Sequence, residues 1–188
     1  TFRVIEVHPE DVLAEAVEAA AEFDGIKRIR LGSLEPDHMT DEMINALKTQ
    51  PKLCPQFHLS LQSGCSATLK RMNRRYTAQE YLQLCQKLRQ TFDSPAITTD
   101  LMVGFPGETE EEFDELLCFI QQAKFDRLGC FAYSEEEGTI AATLPGMMDL
   151  EERRRRANLA MEAQMQVAFA LAESRVGSTL TVLVEGQD

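Results

Sequence analysis

The chain has 188 residues, of which 44% are hydrophobic, and this is enough to form the core of one folded domain and the beginning of a second. The formal net charge of -12 argues against a surface that is basic throughout and that would hold nucleic acid over its whole extent through phosphate contacts. No segment approaches the ~18 consecutive apolar residues of a membrane-spanning helix, and none resembles a signal peptide, so we expect a soluble, cytosolic protein without a membrane partner.

Helical and strand-like patterns alternate along the chain. The starts of the four predicted strands are separated by 30, 39 and 31 residues, which is the spacing of units of one strand and one helix. Such units form parallel strands joined by right-handed helical crossovers, so we predict an α/β fold. The predicted strands cover residues 27–33, 57–63, 96–103 and 127–134, and the predicted helices cover 10–23, 40–49, 78–91, 110–123 and 150–174.

The starts of three predicted helices carry distinctive residues. Thr77 and Thr109 each precede a glutamate by three residues, which is the capping box in which a hydroxyl and a carboxylate satisfy free N–H groups.

The arginine run 153–156 fills one turn of the last helix, and its four side chains point in all directions. A solvated helix face is therefore the favoured interpretation of this run, ahead of a basic patch.

The five cysteines and three histidines do not have the spacing of metal ligands. The sequence contains no CxxC or CxxxCxxC motif, and an odd number of cysteines argues against a disulfide framework. Cys85 and Cys118 fall within apolar helical patterns, which predicts buried thiols that act as small hydrophobic groups. We therefore expect no metal ligands in this chain.

Two of the predicted strands alternate between an apolar face and a polar face. A strand of an open parallel sheet that is covered by helices on both sides would be apolar on both faces. The alternation instead predicts a barrel or partial barrel, with the polar face as the functional site. That face would carry Arg28, Arg30, Gly32, His58, Ser60 and Gln62.

The segment TTDLMVGFPGET, residues 98–109, joins a β-branched strand to an acidic helix start. Ligands of parallel α/β folds bind at the carboxyl ends of strands, where glycines let the backbone approach them and Pro106 would stiffen the turn. No lysine follows the glycines but four carboxylates do, which favours a neutral or cationic ligand over a phosphate. Asp100 lies within the strand, where a carboxylate is costly unless it meets a ligand or solvent. A purely structural tight turn is the alternative that these residues leave open.

The chain resembles the radical S-adenosylmethionine methylthiotransferases between residues 26 and 186, in the motifs LSLQSG, LKRMNRRYT, TTDLMVGFPGETEEEF and FAYSEEEGT. These enzymes insert a methylthio group into a tRNA base or a ribosomal protein side chain. RIRLGSLEP and RMNRRYTAQEY are most similar to the branch that acts on threonylcarbamoyl adenosine beside the tRNA anticodon, which is the favoured substrate. FDRLGCFAYSEEEGTIAA is more similar to the branch that modifies an aspartate of a small-subunit ribosomal protein.

This resemblance implies a partial (β/α) barrel over residues 1–174, followed by the start of a small antiparallel β domain of the TRAM type over 175–188. The alternating segment 176–186 would be its first strand, and TRAM domains of this family bind the macromolecular substrate. The family holds a 4Fe–4S cluster through a CxxxCxxC loop, because soft thiolates bind such clusters. That loop is absent from this sequence, so we expect a fragment that is inactive alone. Its exposed edge strands would be free to associate with a second chain.

The same resemblance implies that the chain contributes to binding S-adenosylmethionine, which the reduced cluster converts into a 5′-deoxyadenosyl radical that abstracts hydrogen. Arg74 and Arg75 are candidates for substrate contact, and a plain surface role for them is equally open. No catalytic residue or sulfur donor is identified. The implied cofactor-binding residues are Ser60, Gln62 and Ser63 at the ribose and methionine, Asp100, Gly104, Phe105, Pro106 and Glu108 on the central strand and loop, and Tyr133 near the adenine.

Two other functions compete with this interpretation. A different (β/α) barrel enzyme could share only the scaffold, because a fold alone does not determine function. A binding module without a cluster could retain affinity for RNA or the ribosome, although the net charge of -12 argues against strong RNA binding by this chain alone.

Overall fold

The computed structural model describes residues 9–179, 184 and 186. In these residues helices and strands alternate, with two short 3-10 helices at Pro36–His38 and Ala141–Thr143. The strands are β1 (Ser33–Leu34), β2 (Gln56–Leu59), β3 (Ala96–Val103) and β4 (Arg127–Ala132). The α-helices are α1 (Pro9–Glu22), α2 (Asp41–Lys48), α3 (Ser66–Arg71), α4 (Ala78–Thr91), α5 (Glu110–Ala123) and α6 (Leu150–Ser174).

The four strands form one parallel sheet in the order β1-β2-β3-β4, as the spacing of the patterns predicts. β4 pairs with β3 along its whole length, from Arg127 opposite Thr98 to Ala132 opposite Val103. β2 pairs with β1 on one side and with β3 on the other, and His58 takes part in both pairings. The chain therefore has an α/β fold in which helical crossovers join neighbouring parallel strands.

One face of the sheet is covered by helices and forms the core. Phe57 and Leu59 of β2 and Ile97 and Leu101 of β3 are buried there, whereas Thr98, Asp100 and Met102, which alternate with the buried residues of β3, are only half-buried. Tyr81 of α4 is fully buried against this face and donates a hydrogen bond to the carbonyl of Leu59 over 3.1 Å. Removal of this apolar surface from water stabilises the fold, and the strict alternation along β3 leaves the opposite face open.

β1 is much shorter than predicted. The pattern predicted a strand over 27–33, but only Ser33–Leu34 form one. Ile29 makes an isolated parallel bridge to Leu53 through its own N–H and carbonyl groups. The backbone of Ile29 therefore bonds to the turn that precedes β2 and not to β2 itself, so the regular ladder does not extend to this segment.

The ends of the last three helices follow their capping residues. α4, α5 and α6 begin and end at the predicted residues. Thr77 and Thr109 both form complete capping boxes, in which the threonine accepts from a backbone N–H and the glutamate accepts in return. Asp149 caps α6 by accepting from the N–H of Glu152 over 2.8 Å. Side chains that satisfy free N–H groups thus fix where these helices start.

Several other sequence-based expectations have mixed outcomes. Cys85 is buried as predicted, but Cys118 lies on the solvent side of α5, so its predicted burial is wrong. The short helix α3 was not predicted. Residues 180–183 and 185 of the segment 176–186, which is predicted to start a TRAM-type domain, lie outside the described residues. Among the helices that the structure describes, none is long and apolar enough to cross a membrane.

Candidate functional site

A chain of polar side chains crosses the open face of the sheet from β2 to β3. Gln56 Nε2 donates to Thr98 Oγ1 over 3.2 Å, and His58 Nδ1 lies 3.0 Å from the same oxygen. His58 Nε2 lies 3.5 Å from Asp100 Oδ2. The structure thus brings His58 and Asp100 together on the face that the sequence pattern marks as polar.

The carboxylate of Asp100 lies beside Gly129, its partner in the β3–β4 ladder. A Cβ atom at position 129 would lie 2.6 Å from Asp100 Oδ1, which is closer than real Cβ atoms approach. Gly129 therefore provides the space that the carboxylate occupies. The Asp100 side chain is 46% exposed. A carboxylate that is open on one side can pair with a cationic group of a ligand.

The end of β2 is shaped by Gln62, which has a φ of 73°. Residues other than glycine rarely adopt this left-handed conformation, and such strain of order 1 kcal/mol or more is concentrated at functional sites. The Gln62 N–H donates to the carbonyl of Asp100 over 3.0 Å, and its carbonyl accepts from the Met102 N–H over 2.9 Å. The predicted strand 57–63 therefore ends early, yet Gln62 stays attached to β3.

The two serines of the LSLQSG motif have different environments. Ser60 is half-buried and lies two residues after His58 in the same alternation of half-buried and buried residues. Its N–H donates to the carbonyl of Leu34 over 3.0 Å. Ser63 is 1% exposed, and its hydroxyl accepts from the Cys65 N–H over 3.2 Å. The structure leaves Ser60 near the open face and uses the Ser63 side chain within the loop before α3.

The GFPG loop closes the carboxyl end of β3 with two left-handed glycines. Gly104 has a φ of 70° and Gly107 a φ of 78°, so a side chain at either position would strain the backbone. The Gly107 N–H donates to the carbonyl of Gly146 over 2.9 Å, and Pro106 is buried between the two glycines. The loop is therefore held against the segment that precedes α6.

Glu108 is used inside this loop as the partner of a buried arginine. Arg156 Nη1 lies 2.9 Å from Glu108 Oε1, and the Gly104 N–H donates to the same oxygen over 3.0 Å. Burial raises the pKa of the Glu108 carboxyl above its usual value, and the bonds from Gly104 and Arg156 oppose that rise. The carboxylate thus faces its own loop, where it fixes the entry to α5.

Two sequence-based interpretations therefore need correction. The arginine run 153–156 is a solvated face only in part, because Arg154 and Arg155 are exposed but Arg156 is only 5% exposed. The carboxylates that follow the glycines do not form an unpaired negative patch. Glu110 lies 2.7 Å from Arg156, and the Glu112 carboxylate accepts hydrogen bonds from Nη1 and Nη2 of Arg71. Their repulsion gives no reason to exclude an anionic ligand, and the preference for a cationic one depends on Asp100.

Arg153 covers the same loop from α6. Its side chain occupies the position that a Cβ atom on Gly104 would need, and its guanidinium donates to the carbonyl of Tyr133. The Tyr133 ring packs edge-on against Phe105, with ring centroids 5.5 Å apart. The Tyr133 hydroxyl is buried and has no hydrogen-bond partner among the described residues. A bound ligand could satisfy such a group.

A cleft of about 510 Å³ opens beside this face, at the carboxyl ends of β2 and β3. Gln62, Met102 and Phe105 line it, so it adjoins the predicted site. The sequence analysis missed Gly129, Arg153 and Met102. Met102 alternates with buried neighbours on β3 and could have been found from that pattern, whereas no local signal links Arg153 to a loop far from it in sequence.

The described residues contain no group of three or more histidine, cysteine, aspartate or glutamate side chains that could hold a metal ion. Burial raises the pKa of the Cys85 and Cys130 thiols to about 12, so both stay protonated at neutral pH and are poor metal ligands. An iron–sulfur cluster does not fit this part of the chain.

Comparison with known proteins supports the resemblance drawn from the motifs. The chain is 41% identical over 164 residues to a tRNA-2-methylthio-N(6)-dimethylallyladenosine synthase of Symbiobacterium thermophilum. The matched region covers 87% of this chain and 35% of that protein. The chain is also 38% identical over 184 residues to a ribosomal protein uS12 methylthiotransferase of Pseudothermotoga lettingae. That match covers 98% of this chain and 43% of the relative. The chain thus spans less than half the length of these relatives, and both methylthiotransferase branches are represented among them.

Two solved structures share the fold at low sequence identity. The coproporphyrinogen III oxidase of Escherichia coli, a radical SAM enzyme, has a TM-score of 0.63 at 15% identity over 89% of this chain and 37% of its own. An Elp3 protein of Methanocaldococcus infernus has a TM-score of 0.55 at 17% identity over 81% of this chain and 36% of its own. The family described as the radical SAM superfamily matches residues 10–120, more than half of the chain. The chain therefore belongs to the radical SAM superfamily.

Proposed function

We propose that this chain is part of a radical S-adenosylmethionine methylthiotransferase that adds a methylthio group to a modified adenosine beside the tRNA anticodon. The observation that carries the proposal is 41% identity, across 87% of the chain, to an enzyme named for methylthiolation of a tRNA adenosine. The four parallel strands would form the carboxyl-terminal part of a partial (β/α) barrel whose polar face lines the lumen. The residues after 174 would begin a TRAM-type domain.

We propose that the open face of the sheet binds S-adenosylmethionine. The Asp100 carboxylate would pair with a cationic group of the cofactor, and Gly129 keeps the space around it free. Phe105 and the unpartnered Tyr133 hydroxyl would meet the adenine side. When it is bound, the cofactor supplies the radical chemistry, and these residues orient it and exclude water. The residues proposed to hold it remain Ser60, Gln62, Ser63, Asp100, Gly104, Phe105, Pro106, Glu108 and Tyr133.

These nine residues would act in two ways. Ser60, Gln62, Asp100, Phe105 and Tyr133 would contact the cofactor or border it directly. The buried side chains of Ser63, Pro106 and Glu108 would act through the backbone that they fix, and Gly104 would give that backbone its shape. Ser63 and Glu108 belong to the second group because their side chains already accept hydrogen bonds from N–H groups within their own loops.

The 4Fe–4S cluster does not fit the described residues, and the sequence has no CxxxCxxC motif to bind it. We propose that the portion of the protein that corresponds to the remaining length of the relatives supplies its thiolates. Alone, this chain is expected to lack methylthiotransferase activity, and its short edge strand β1 would be free to pair with another chain.

A ribosomal protein substrate is the second candidate. The relative named for uS12 is 38% identical over 98% of this chain, whereas the tRNA-type relative of Symbiobacterium thermophilum is 41% identical over 87% of it. The reaction class is the same for both substrates, so the choice depends on the macromolecule and not on the cofactor. A binding module without a cluster is the third outcome.

The test uses the complete gene product, reconstituted with iron and sulfide under reducing conditions. It is incubated with S-adenosylmethionine, excess sulfide as the sulfur source and either uS12 or anticodon stem-loop RNA that already carries the modified adenosine, and both products are analysed by mass spectrometry. We expect the RNA to gain one methylthio group in place of one hydrogen. A product on uS12 alone would select the second candidate, and RNA binding without 5′-deoxyadenosine or methylthio product would favour the binding module.

A further inference from the structure

The cleft at the carboxyl ends of β2 and β3 combines an apolar lining with two arginines. The two cationic residues are Arg71 and Arg74, and Gln62 and Asn73 supply amide groups. Glu135 and Glu137 line a separate hollow and not this cleft. The apolar lining residues are Met72, Met102, Phe105, Ile140, Ala141 and Leu144.

The turn that carries Arg74 is held firmly at the rim of the cleft. Asn73 has a left-handed φ of 58°, and the Arg74 N–H donates to the carbonyl of Leu69 over 2.9 Å. Tyr76 donates its hydroxyl to the carbonyl of Ser60 over 2.5 Å. Burial raises the pKa of Tyr76 to about 12, so the hydroxyl keeps the proton that this bond needs at neutral pH. The backbone of Arg74 is thus fixed close to the end of β2.

The two arginines of the cleft differ in how firmly they are paired. Arg71 donates to both carboxylate oxygens of Glu112 and to the Thr68 hydroxyl, and the Glu112 side chain is only 15% exposed. Arg74 Nη1 lies 3.1 Å from the nearest carboxylate oxygen of Glu35, and these side chains are 30% and 44% exposed. Exposed ion pairs contribute little stability, so Arg74 can exchange Glu35 for another anion.

We propose that Arg74 binds a phosphate of an RNA strand whose base enters the apolar part of the cleft, and that Glu35 holds Arg74 when no RNA is bound. This inference rests on the proposed function and names how its substrate is held. The planar guanidinium can donate two parallel hydrogen bonds to a phosphate, and a base can pack on Met72 and Met102, to which no cofactor contact is assigned.

The lining of the cleft favours RNA over a protein side chain. An aspartate substrate would also pair with Arg74, but its single methylene group would leave the six apolar lining residues uncovered. A purine offers a flat apolar surface together with polar edges that Asn73 can bond. The net charge of -12 means that binding must depend on such local cationic groups.

Two substitutions in the complete gene product have opposite expected effects on the affinity for anticodon stem-loop RNA. Arg74→Gln should weaken binding about tenfold and reduce the salt dependence by about one phosphate contact. Glu35→Gln should tighten binding about threefold, because it removes the competing carboxylate. Fluorescence anisotropy at several salt concentrations measures both effects.

Two neighbouring substitutions control for net charge and folding. Arg75→Gln removes the same charge as Arg74→Gln from an exposed neighbour, and Asp37→Asn removes the same charge as Glu35→Gln two residues away. Thermal unfolding midpoints establish that all four variants are folded. Equal weakening by the two arginine variants, or equal tightening by the two acidic variants, would overturn the inference.

The inference and the proposed function fail in different ways. If the wild-type protein modifies RNA but Arg74→Gln behaves like Arg75→Gln, Arg74 has no special role and the proposed function stands. If the wild-type protein forms no product on RNA, the proposed tRNA substrate fails, and the inference fails with it. Reduced modification of uS12 by Arg74→Gln, with RNA binding unchanged, would assign Arg74 to a carboxylate and overturn the RNA inference.

Discussion

Arg156 Nη1 and Glu108 Oε1 lie 2.9 Å apart, and their side chains are 6% and 1% exposed. The pair joins the long helix α6 to the loop that closes β3. Arg156 also donates to the carbonyl of Thr109 over 2.9 Å. Through these bonds α6 holds the GFPG loop beside Asp100, and any movement of this helix would be passed to the proposed cofactor loop.

Removal of Arg156 should be strongly destabilising, because it leaves Glu108 as an uncompensated buried carboxylate. We expect Arg156→Ala to lower the free energy of unfolding by about 3–5 kcal/mol, measured by urea denaturation. Arg155→Ala is the matched control, because Arg155 is 49% exposed and pairs with Glu152 at the surface. Similar losses for the two variants would show that burial of the Arg156 pair is unimportant.

Gly64 should not tolerate a side chain, because the loop before α3 packs directly on α5. A Cβ atom at this position would lie 2.7 Å from Phe119 Cβ and 3.1 Å from the Leu116 Cα. We expect Gly64→Ala to cost about 1–3 kcal/mol of unfolding free energy through overpacking. Gly25→Ala, where no atom lies within 4 Å of the added Cβ, should have a much smaller effect in the same assay.

Alkylation should separate the cysteines by burial. Iodoacetamide should modify the exposed Cys118 in the native protein, while the buried Cys85 reacts only after unfolding, because burial raises its thiol pKa to about 12. Peptide mass spectrometry after short exposure measures the order of reaction. Modification of Cys85 at the rate of Cys118 would contradict the packing of α4 against the sheet.

Acid should weaken the first turn of α6. Hydrogen bonds from Arg155 and Arg156 lower the pKa of Glu152 from 4.5 to about 2. The folded state therefore binds this proton less tightly than the unfolded state, and the stabilisation is present above pH 4.5 and is lost as the pH falls toward about 2. As the pH is lowered across this window, the thermal unfolding midpoint of the wild type should fall more steeply than the midpoint of Glu152→Gln. Parallel curves for the two proteins would exclude this role for Glu152.

Local signals in the sequence account for much of the fold. The helices α4 and α5 start at threonine capping boxes, and the predicted and observed bounds of β3 agree because its β-branched, apolar run ends at Gly104. The early end of β2 could not be predicted in this way. Gln62 adopts a left-handed φ that a glutamine seldom has, and only its bonds to Asp100 and Met102 across the sheet stabilise it there.

The site was predictable where it depends on strand alternation and unpredictable where it depends on distant contacts. His58 and Asp100 meet because both lie on the polar face of adjacent parallel strands, which the pattern indicates. Burial of Arg156 depends on Glu108, from a different element of the fold. In a helix, an arginine run looks the same whether it faces solvent or a buried carboxylate, so local sequence does not distinguish the two.

The most direct test of cofactor binding at this face is the affinity of the complete gene product for S-adenosylmethionine. Calorimetry measures it for the wild type and for the variants Asp100→Asn and Gly129→Ala. Both variants should bind about tenfold more weakly, the first through loss of charge and the second because the added Cβ displaces the Asp100 carboxylate. Asp114→Asn, which removes a charge from the exposed side of α5, should bind like the wild type. Wild-type affinity in both Asp100→Asn and Gly129→Ala would contradict the proposal that this face of the sheet holds the cofactor.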